Sequence, residues 1–440
     1  MYSHRKKDKK LKTIFSSLQW ALFILMSSVV VPIAIASSYG LDSIQTVEFI
    51  QRTLFVLGLA GVLQCIFGHH LPIQEGPAGL WWGVFSLYAG LGTVLFGSQM
   101  ETLRVLQYAL LLSGVIFIVL SVFGLVEKLS RLFTPTIVGI YLILLVMQLS
   151  SSFLKGMFGL NEQSATVNPK MLLLSSLIVV LSYVFMKLPR IGHYSILFSI
   201  TFGWLLFYFF GLAEPISKVK TWIKLPEVFA FGFPRIEPNM IVMVFFITLL
   251  LLVNMLATVR VVQKVMEKQQ VPVDKNRFKQ TGIVSGVNQL LAGFFSAIGA
   301  VPVSSSAGFI STTKITSKKP FILGSILIIL ISLIPPFTSF IAAIPEAVGY
   351  AAIFPVFASM ISLAFQEFES VKNKGNLYQV AGISLFVGIG VMFIPAEAFS
   401  DMPPVFVSIL SNGLVFGSIL AIIIEAIVTR EKTVENFKTK

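Results

Sequence analysis

Windows of about 20 predominantly apolar residues recur along the whole chain, and this constrains it more than any other feature. That is the length at which an α-helix crosses a hydrocarbon layer of roughly 30 Å. About fourteen such windows can be drawn, near 17–36, 49–68, 72–90, 105–124, 133–152, 169–187, 191–212, 239–259, 280–298, 301–314, 320–342, 347–366, 376–395 and 407–428. Composition agrees. Of the 440 residues 55% are hydrophobic and only 12% charged, against about 25% charged in a soluble domain. A single soluble core stops growing near ~250–300 residues. The pattern predicts an all-α polytopic membrane protein and argues against a soluble enzyme, a disordered chain or a disulfide scaffold.

The charges orient the windows. The net charge is +13, and its positions fit a membrane better than a nucleic acid, for which no binding module is visible. Basic residues crowd the N-terminal tail (Arg5, Lys6, Lys7, Lys9, Lys10, Lys12) and the short loops. An even number of spans puts both tails on one side. If that side is cytoplasmic, it holds the tail, Lys128/Arg131, Lys187/Arg190, Arg260 through Lys279, Lys314/Lys318/Lys319, Lys372/Lys374, Arg430, Lys432, Lys438 and Lys440. That is roughly 25 of the 33 basic residues, against roughly 8 outside. The prediction is a multi-pass protein of the cytoplasmic membrane with both termini inside. The basic tail runs into a long apolar stretch with no small-residue cleavage site, so it does not read as a cleavable signal.

Catalytic and metal chemistry has little support. Cys65 is the one cysteine, so an intrachain disulfide is impossible. His4, His69, His70 and His193 form no H-E-x-x-H pattern and pair with no candidate nucleophile. His69-His70 reads as a loop pair at the membrane surface. No cofactor is expected.

Two windows are poor helices. Leu71-Pro72-Ile73-Gln74-Glu75-Gly76-Pro77-Ala78-Gly79 opens the third, and Gly299-Ala300-Val301-Pro302-Val303-Ser304-Ser305-Ser306-Ala307-Gly308 opens the tenth. Non-helical backbone at membrane depth persists only where protein or a cavity satisfies its N–H and C=O groups. Interrupted spans at corresponding positions of two halves mark a transporter's binding site. The third and tenth windows stand seven apart, and an odd number of spans per half inverts the second half. The expected organisation is a tail at 1–16, a first repeat at 17–212, an extracytoplasmic midpoint loop at 213–238, a second repeat at 239–428 and a tail at 429–440. The alternative is a pair of re-entrant loops without substrate.

Short motifs in this order resemble the nucleobase–ascorbate transporter family, the xanthine/uracil permeases. Gln19-Trp20 followed by Pro32 resembles Q-H…P. Leu71 through Pro77 resembles L-P-I-x-Q-G-P-S-F, and Thr134-Pro135-Thr136-Ile137-Val138-Gly139 resembles P-P-x-V-x-G. Leu225-Pro226 through Phe231-Gly232-Phe233-Pro234 resembles the midpoint P-x-P-F-x-F-G-x-P. Ala292-Gly293-Phe294-Phe295 with Val301-Pro302 resembles A-G-L-F-G…P, and Ile344-Pro345-Glu346-Ala347-Val348-Gly349 resembles I-P-x-x-V-x-G. Each motif is weak alone; their order over roughly 400 residues carries the likeness. The resemblance implies a seven-plus-seven inverted repeat with short extended segments in spans 3 and 10. It also implies a core of spans 1–4 and 8–11, a gate of spans 5–7 and 12–14, alternating access, and a homodimer. Substrate would sit at half-helix N-termini, whose N–H groups suit the carbonyl edge of a base.

The resemblance places substrate-binding candidates at Asn254, Thr258, Ala78, Gly79, Ser304, Ser305, Ser306, Ala307 and Gly308. This chain departs from the pattern there. Asn254 stands where the family usually has Glu, Gly308 where it has Gln or Glu, Phe309 where it has Asn, and Ala78-Gly79 where it has a bulky aromatic. Asn254 offers one acceptor and two donors to an amide edge, or else bridges two helices as a buried amide. Glu75 is a candidate proton-coupling or substrate group, or else a charge at the cytoplasmic mouth; the resemblance implies uptake coupled to H⁺ or Na⁺. The Ser304–Ser306 hydroxyls serve substrate or satisfy unwound backbone. Trp81 and Trp82 stack on a base or form an interfacial belt. Asn288 and Gln289 line the core or cross-link helices, and Glu425 reads as a helix-end residue. The expectation is a secondary transporter for a nucleobase, with a purine favoured. An anion transporter of the sulfate-permease type and a non-transporting nucleobase receptor are the alternatives.

Overall fold

In the computed structural model of the chain, the described residues are 2–438 apart from 127, 129–131, 161–165, 189–191, 214, 275, 396, 397, 399–401, 403–406 and 408. Of the basic residues counted above, Arg131, Arg190, Lys275 and Lys440 lie outside them.

Helix fills the apolar windows, and the breaks follow from proline and capping chemistry. Helices α1 (Tyr2–Ser28) and α2 (Val30–Ser38) form one span, Leu11–Ser38. The span breaks at Val29, three residues before Pro32, whose missing N–H and bulky ring disturb the carbonyl of Ser28, four residues back. Helix α3 (Ser43–Ile66) starts at a reciprocal cap: the Asp42 carboxylate accepts from the Ile44 and Gln45 N–H groups, and Gln45 accepts from the Asp42 N–H. A short strand, β1 (Glu75–Pro77), precedes α4 (Gly79–Phe96), because Pro72, Gly76 and Pro77 leave that stretch no helical ladder. Then follow α5 (Gln99–Val122), α6 (Pro135–Phe158), α7 (Pro169–Lys187) and α8 (Ser195–Phe209). Thr134 and Asn168 cap α6 and α7, each with proline at the first helical position.

After an extended midpoint segment come α9 (Ile241–Lys268), α10 (Phe278–Phe294), strand β2 (Ala300–Pro302), α11 (Ser305–Thr313), α12 (Lys318–Ser332) and α13 (Pro335–Ala342). Helices α12 and α13 meet at 90°, because Ile334 precedes Pro335 and takes an extended conformation, φ −105° and ψ 93°. The chain ends with α14 (Glu346–Ser370), α15 (Lys374–Val391) and α16 (Gly413–Lys438). Among the described residues, eight helices are long and apolar enough to cross a membrane, nine if α12–α13 counts as one span. Ser195–Phe209 and Gly413–Val428 are apolar but shorter.

The main packing falls into two groups. In the first, α5 lies along α10 and α9, α12 lies along α1 and α3, and α4 meets α5. In the second, α14 lies along α6, α7 and α8, and α16 lies along α15 and α6. Some contacts need glycine. A Cβ on Gly114 of α5 would sit 2.7 Å from the Gly286 carbonyl of α10, and one on Gly286 2.7 Å from the Gly114 carbonyl. Such close backbone approach is what holds helices together where lipid removes the hydrophobic drive. Outward-facing side chains such as Leu173, Phe209, Phe386 and Phe393 are exposed, an apolar surface that suits lipid and would aggregate in water.

Candidate functional site

The two defective windows meet. Strands β1 and β2 pair antiparallel, with Glu75 opposite Pro302, Gly76 opposite Val301 and Pro77 opposite Ala300. Bonds beyond the ladder extend the pairing. The Ala78 N–H donates to the Gly299 carbonyl at 2.9 Å and the Val303 N–H to the Gln74 carbonyl at 3.0 Å. The Gln74 N–H donates to Ser306 Oγ at 2.9 Å. The pair thus satisfies the backbone that helix would otherwise satisfy. Each strand feeds a helix directly, β1 into α4 and β2 into α11. The capping positions Ala78 and Ser304 take no first-turn N–H with a side chain.

Polar side chains clamp this crossing. Gln289 of α10 donates to the Ala300 carbonyl at 2.7 Å and accepts from the Trp81 indole at 2.8 Å. The Gln74 amide donates to Ser27 Oγ at 2.6 Å and Ser28 Oγ at 3.2 Å, tying β1 to α1. Gly299 is required by the clamp: a Cβ there would sit 2.3 Å from Gln289 Oε1 and 2.4 Å from the Trp81 ring.

The sequence candidates gather on this crossing in different environments. Asn254 of α9 is half-buried, its Nδ2 donating to the Pro302 carbonyl at 3.4 Å. It therefore bridges helix to strand. Thr258, one turn on, is buried. Ser304, Ser305 and Gly308 are exposed, and a Cβ on Gly308 would meet nothing within 4 Å. Ser306 and Ala307 are buried, and Ser306 serves the backbone of Gln74. Ala78 is buried at the start of α4, while Gly79 faces Leu145 of α6, across the boundary between the two packing groups. The accessible set is Asn254, Gly79, Ser304, Ser305 and Gly308. A cleft of about 280 Å³ lies elsewhere, lined by Glu48, Gln51, Lys218, Lys220 and Lys224 among others, and no candidate residue lines it.

Several sequence readings change. His69 is not at the surface: it is 1% exposed, and its Nε2 lies 3.7 Å from Glu75 Oε1. The chain reverses at His70, φ 60°, and carries Leu71 and the residues after it inward. Glu75 is 1% exposed and so is no charge at the cytoplasmic mouth. Trp81 and Trp82 are 0% and 1% exposed, so neither forms an interfacial belt or presents an open face to a base. Trp82 stacks on Tyr350 of α14 at 6.0 Å and 8°. Phe309 turns away from the accessible set and packs on Trp20 at 4.3 Å and Phe23 at 4.6 Å. Gln289 cross-links, whereas both amide atoms of buried Asn288 have no hydrogen-bond partner among the described residues. Glu425 accepts from the Thr134 hydroxyl at the start of α6. No group of three or more His, Cys, Asp or Glu among the described residues is placed to hold a metal.

The chain is 44% identical over 417 residues to the putative purine permease YwdJ of Bacillus subtilis (strain 168), covering 94% of this chain and 95% of that one. It is 23% identical over 434 residues to the uric acid permease PucK of the same organism, covering 96% of each. Among solved structures, the transmembrane domain of the cyanobacterial bicarbonate transporter BicA superposes with a TM-score of 0.61 at 15% identity, covering 86% of this chain and 95% of that one; at that identity the likeness is one of fold. Residues 11–397 match the profile of the Permease family, and the chain belongs to that family of xanthine and uracil permeases.

Proposed function

We propose that the protein carries a purine base across the cytoplasmic membrane by alternating access, binding it at the β1–β2 crossing between the two packing groups. The observation that carries this reading is the crossing itself. Two half-helices start back to back on paired strands beside a half-buried amide, Asn254, with Ser304, Ser305 and Gly308 accessible. Backbone N–H groups and one amide match the carbonyl and ring-nitrogen edge of a neutral base. Glu75 serves as the coupling group.

A seven-plus-seven inverted repeat accounts for the packing. Exchanging each window for the one seven later turns α5·α10 into α12·α3, α1·α12 into α9·α5, and α15·α16 into α7·α8; all six contacts are present. The first packing group then acts as core and the second as gate. Both termini lie inside. The kinship with purine permeases favours a base over an anion, and the accessible set contains no basic side chain to hold an anion.

Expression in a strain lacking purine and uracil uptake, followed by uptake of labelled bases with and without a protonophore, tests the proposal. We expect saturable uptake of at least one purine, abolished by the protonophore. No uptake of any base overturns it.

A further inference from the structure

The crossing contains one ionisable pair that base binding does not use. His69 and Glu75 are both buried, with Nε2 3.7 Å from Oε1. That is too long for a hydrogen bond, and neither carboxyl oxygen of Glu75, nor Nε2 of His69, has a hydrogen-bond partner among the described residues. The other ring nitrogen is committed. The Leu71 N–H donates to Nδ1 at 3.0 Å, so Nδ1 carries a lone pair. A neutral imidazole with an acceptor at Nδ1 has its hydrogen on Nε2, the atom that faces Glu75.

The surroundings limit what Glu75 can be in this state. Besides Glu75, the ionisable groups that reach His69 are His70 beside it, Lys318 at the start of α12 and Arg277 at the start of α10; among the described residues, Glu75 has no ion-pair partner other than His69. Arg277 is itself engaged with the Gly68 and Phe67 carbonyls at 2.7 and 3.0 Å, bracing the turn that carries His69. An ionised carboxylate with no donor in such a place is far costlier than the protonated acid. The arrangement is that of a protonated Glu75 beside a donor it does not yet need. When the proton leaves, Nε2–H is the donor at hand for the carboxylate, and closing the gap draws Glu75 toward His69.

That movement reaches the candidate site through few bonds. Glu75 pairs in register with Pro302, whose carbonyl receives Asn254, and Gln74 next to it holds Ser306. We propose that Glu75 is the proton-carrying group of the transport cycle. His69, a positioning residue held as a neutral imidazole, receives the carboxylate once the proton has left toward the cytoplasm. One proton enters on the Glu75 carboxylate from outside and leaves it inside, with no other bond made or broken. This rests on the reading of the protein as a base transporter and names its coupling ion and site.

The test uses the purified full-length protein in liposomes with radiolabelled adenine, guanine, hypoxanthine, xanthine and uric acid, continuing with the best-exchanged base. Failure of the wild type to exchange any of them would sink the transporter reading itself. Exchange without response to a pH gradient would sink the proton site alone. We expect an outside-acid gradient to drive accumulation, with alkalinisation of the outer medium when base is added. Glu75→Gln should lose both accumulation and alkalinisation while base-for-base exchange persists; accumulation with the wild-type dependence on the gradient overturns the proposal. The histidine arm stands if Glu75→Gln does not fold. His69→Leu removes the donor, so accumulation at neutral internal pH should fall and recover when the internal pH is raised, whereas His69→Gln, which keeps an N–H, should stay near wild type. An internal-pH profile of His69→Leu that matches wild type overturns the role of His69.

Discussion

Gly299 shows how one residue sets the geometry of the crossing. It lies just before β2, where Gln289 and the Trp81 indole close over the backbone. A methyl group there would stand 2.3 Å from Gln289 Oε1 and 2.4 Å from the Trp81 ring. Overpacking of this kind costs about 1–3 kcal/mol, and here it also parts the amide from the Ala300 carbonyl that it holds. Gly299→Ala is therefore expected to reduce base uptake at least as severely as Asn254→Ala, at normal abundance in the membrane; uptake equal to wild type would show the clamp to be dispensable. Part of this site was legible in the residues. The small, hydroxylated run after Pro302 and the proline-rich run before Gly79 marked both defective windows. The partners were not. Glutamine at 289 has no local signature separating a helix cross-link from a lining residue. His69 lies in a Gly-His-His turn that reads as surface, and only the inward course of the chain after His70 buries it. Trp20 and Phe309 departed from the resembled pattern independently in sequence, yet they pack together at 4.3 Å. They are one apolar contact split across nearly 290 residues.

At the scale of elements, apolar periodicity located the helices well because each buries its own ladder and has to be long. It could not pair them. The contact between α4 and the second packing group depends on an aromatic cluster that no pattern announces. Trp82 stacks on Tyr350 and lies 5.4 Å from Phe153 of α6 and from Phe357 of α14. Removing so large a buried side chain costs about 3–5 kcal/mol, concentrated at the face where α4 meets α6 and α14. Trp82→Ala should lower the apparent Tm of the detergent-purified protein by several degrees, and Trp82→Phe by much less. An unchanged Tm in Trp82→Ala would mean that the cluster carries no packing energy. The midpoint segment behaves in the opposite way to a loose linker. The Gln51 side chain donates to the Lys224 carbonyl at 2.6 Å, Gln107 to the Gly232 carbonyl at 2.9 Å and Arg104 to the Phe233 carbonyl at 2.8 Å. Glu48 pairs with Lys224, and Arg235 with Glu101. These anchors belong to α3 and α5, so the segment is strapped to the first packing group. Its Pro-rich sequence marked its position but not this attachment, which depends on side chains more than a hundred residues away.

For the whole molecule, contacts between helix ends test the proposed alternation, because ends that touch must lie on one side. The proposed topology puts the ends of α2 and α13, the starts of α3, α5 and α14, and the midpoint segment outside. The contacts Ser37 to Glu346, Glu48 to Lys224 and Arg235 to Glu101 each join two of these places. The contacts Arg277 to Gly68 and Thr134 to Glu425 each join two places assigned to the inside. One miscounted span anywhere between Ser37 and Glu425 would break at least one of the five. The same geometry offers a direct test of rocking between the groups, because Ser37 lies on α2 in the first group and Glu346 starts α14 in the second. The Ser37 hydroxyl donates to the Glu346 carboxylate at 2.6 Å, and Ser37 is exposed. In a Cys65→Ser background, Ser37→Cys with Glu346→Cys should be bridged by a short, reducible thiol cross-linker added from outside. Bridging pins the outer ends of the two groups together. If the groups must separate there for a base to enter, uptake should stop on cross-linking and return on reduction, while each single cysteine variant treated alike keeps its uptake. A bridged protein that still transports would place the moving boundary elsewhere and remove the assignment of α1–α5 with α9–α13 as one body and α6–α8 with α14–α16 as the other.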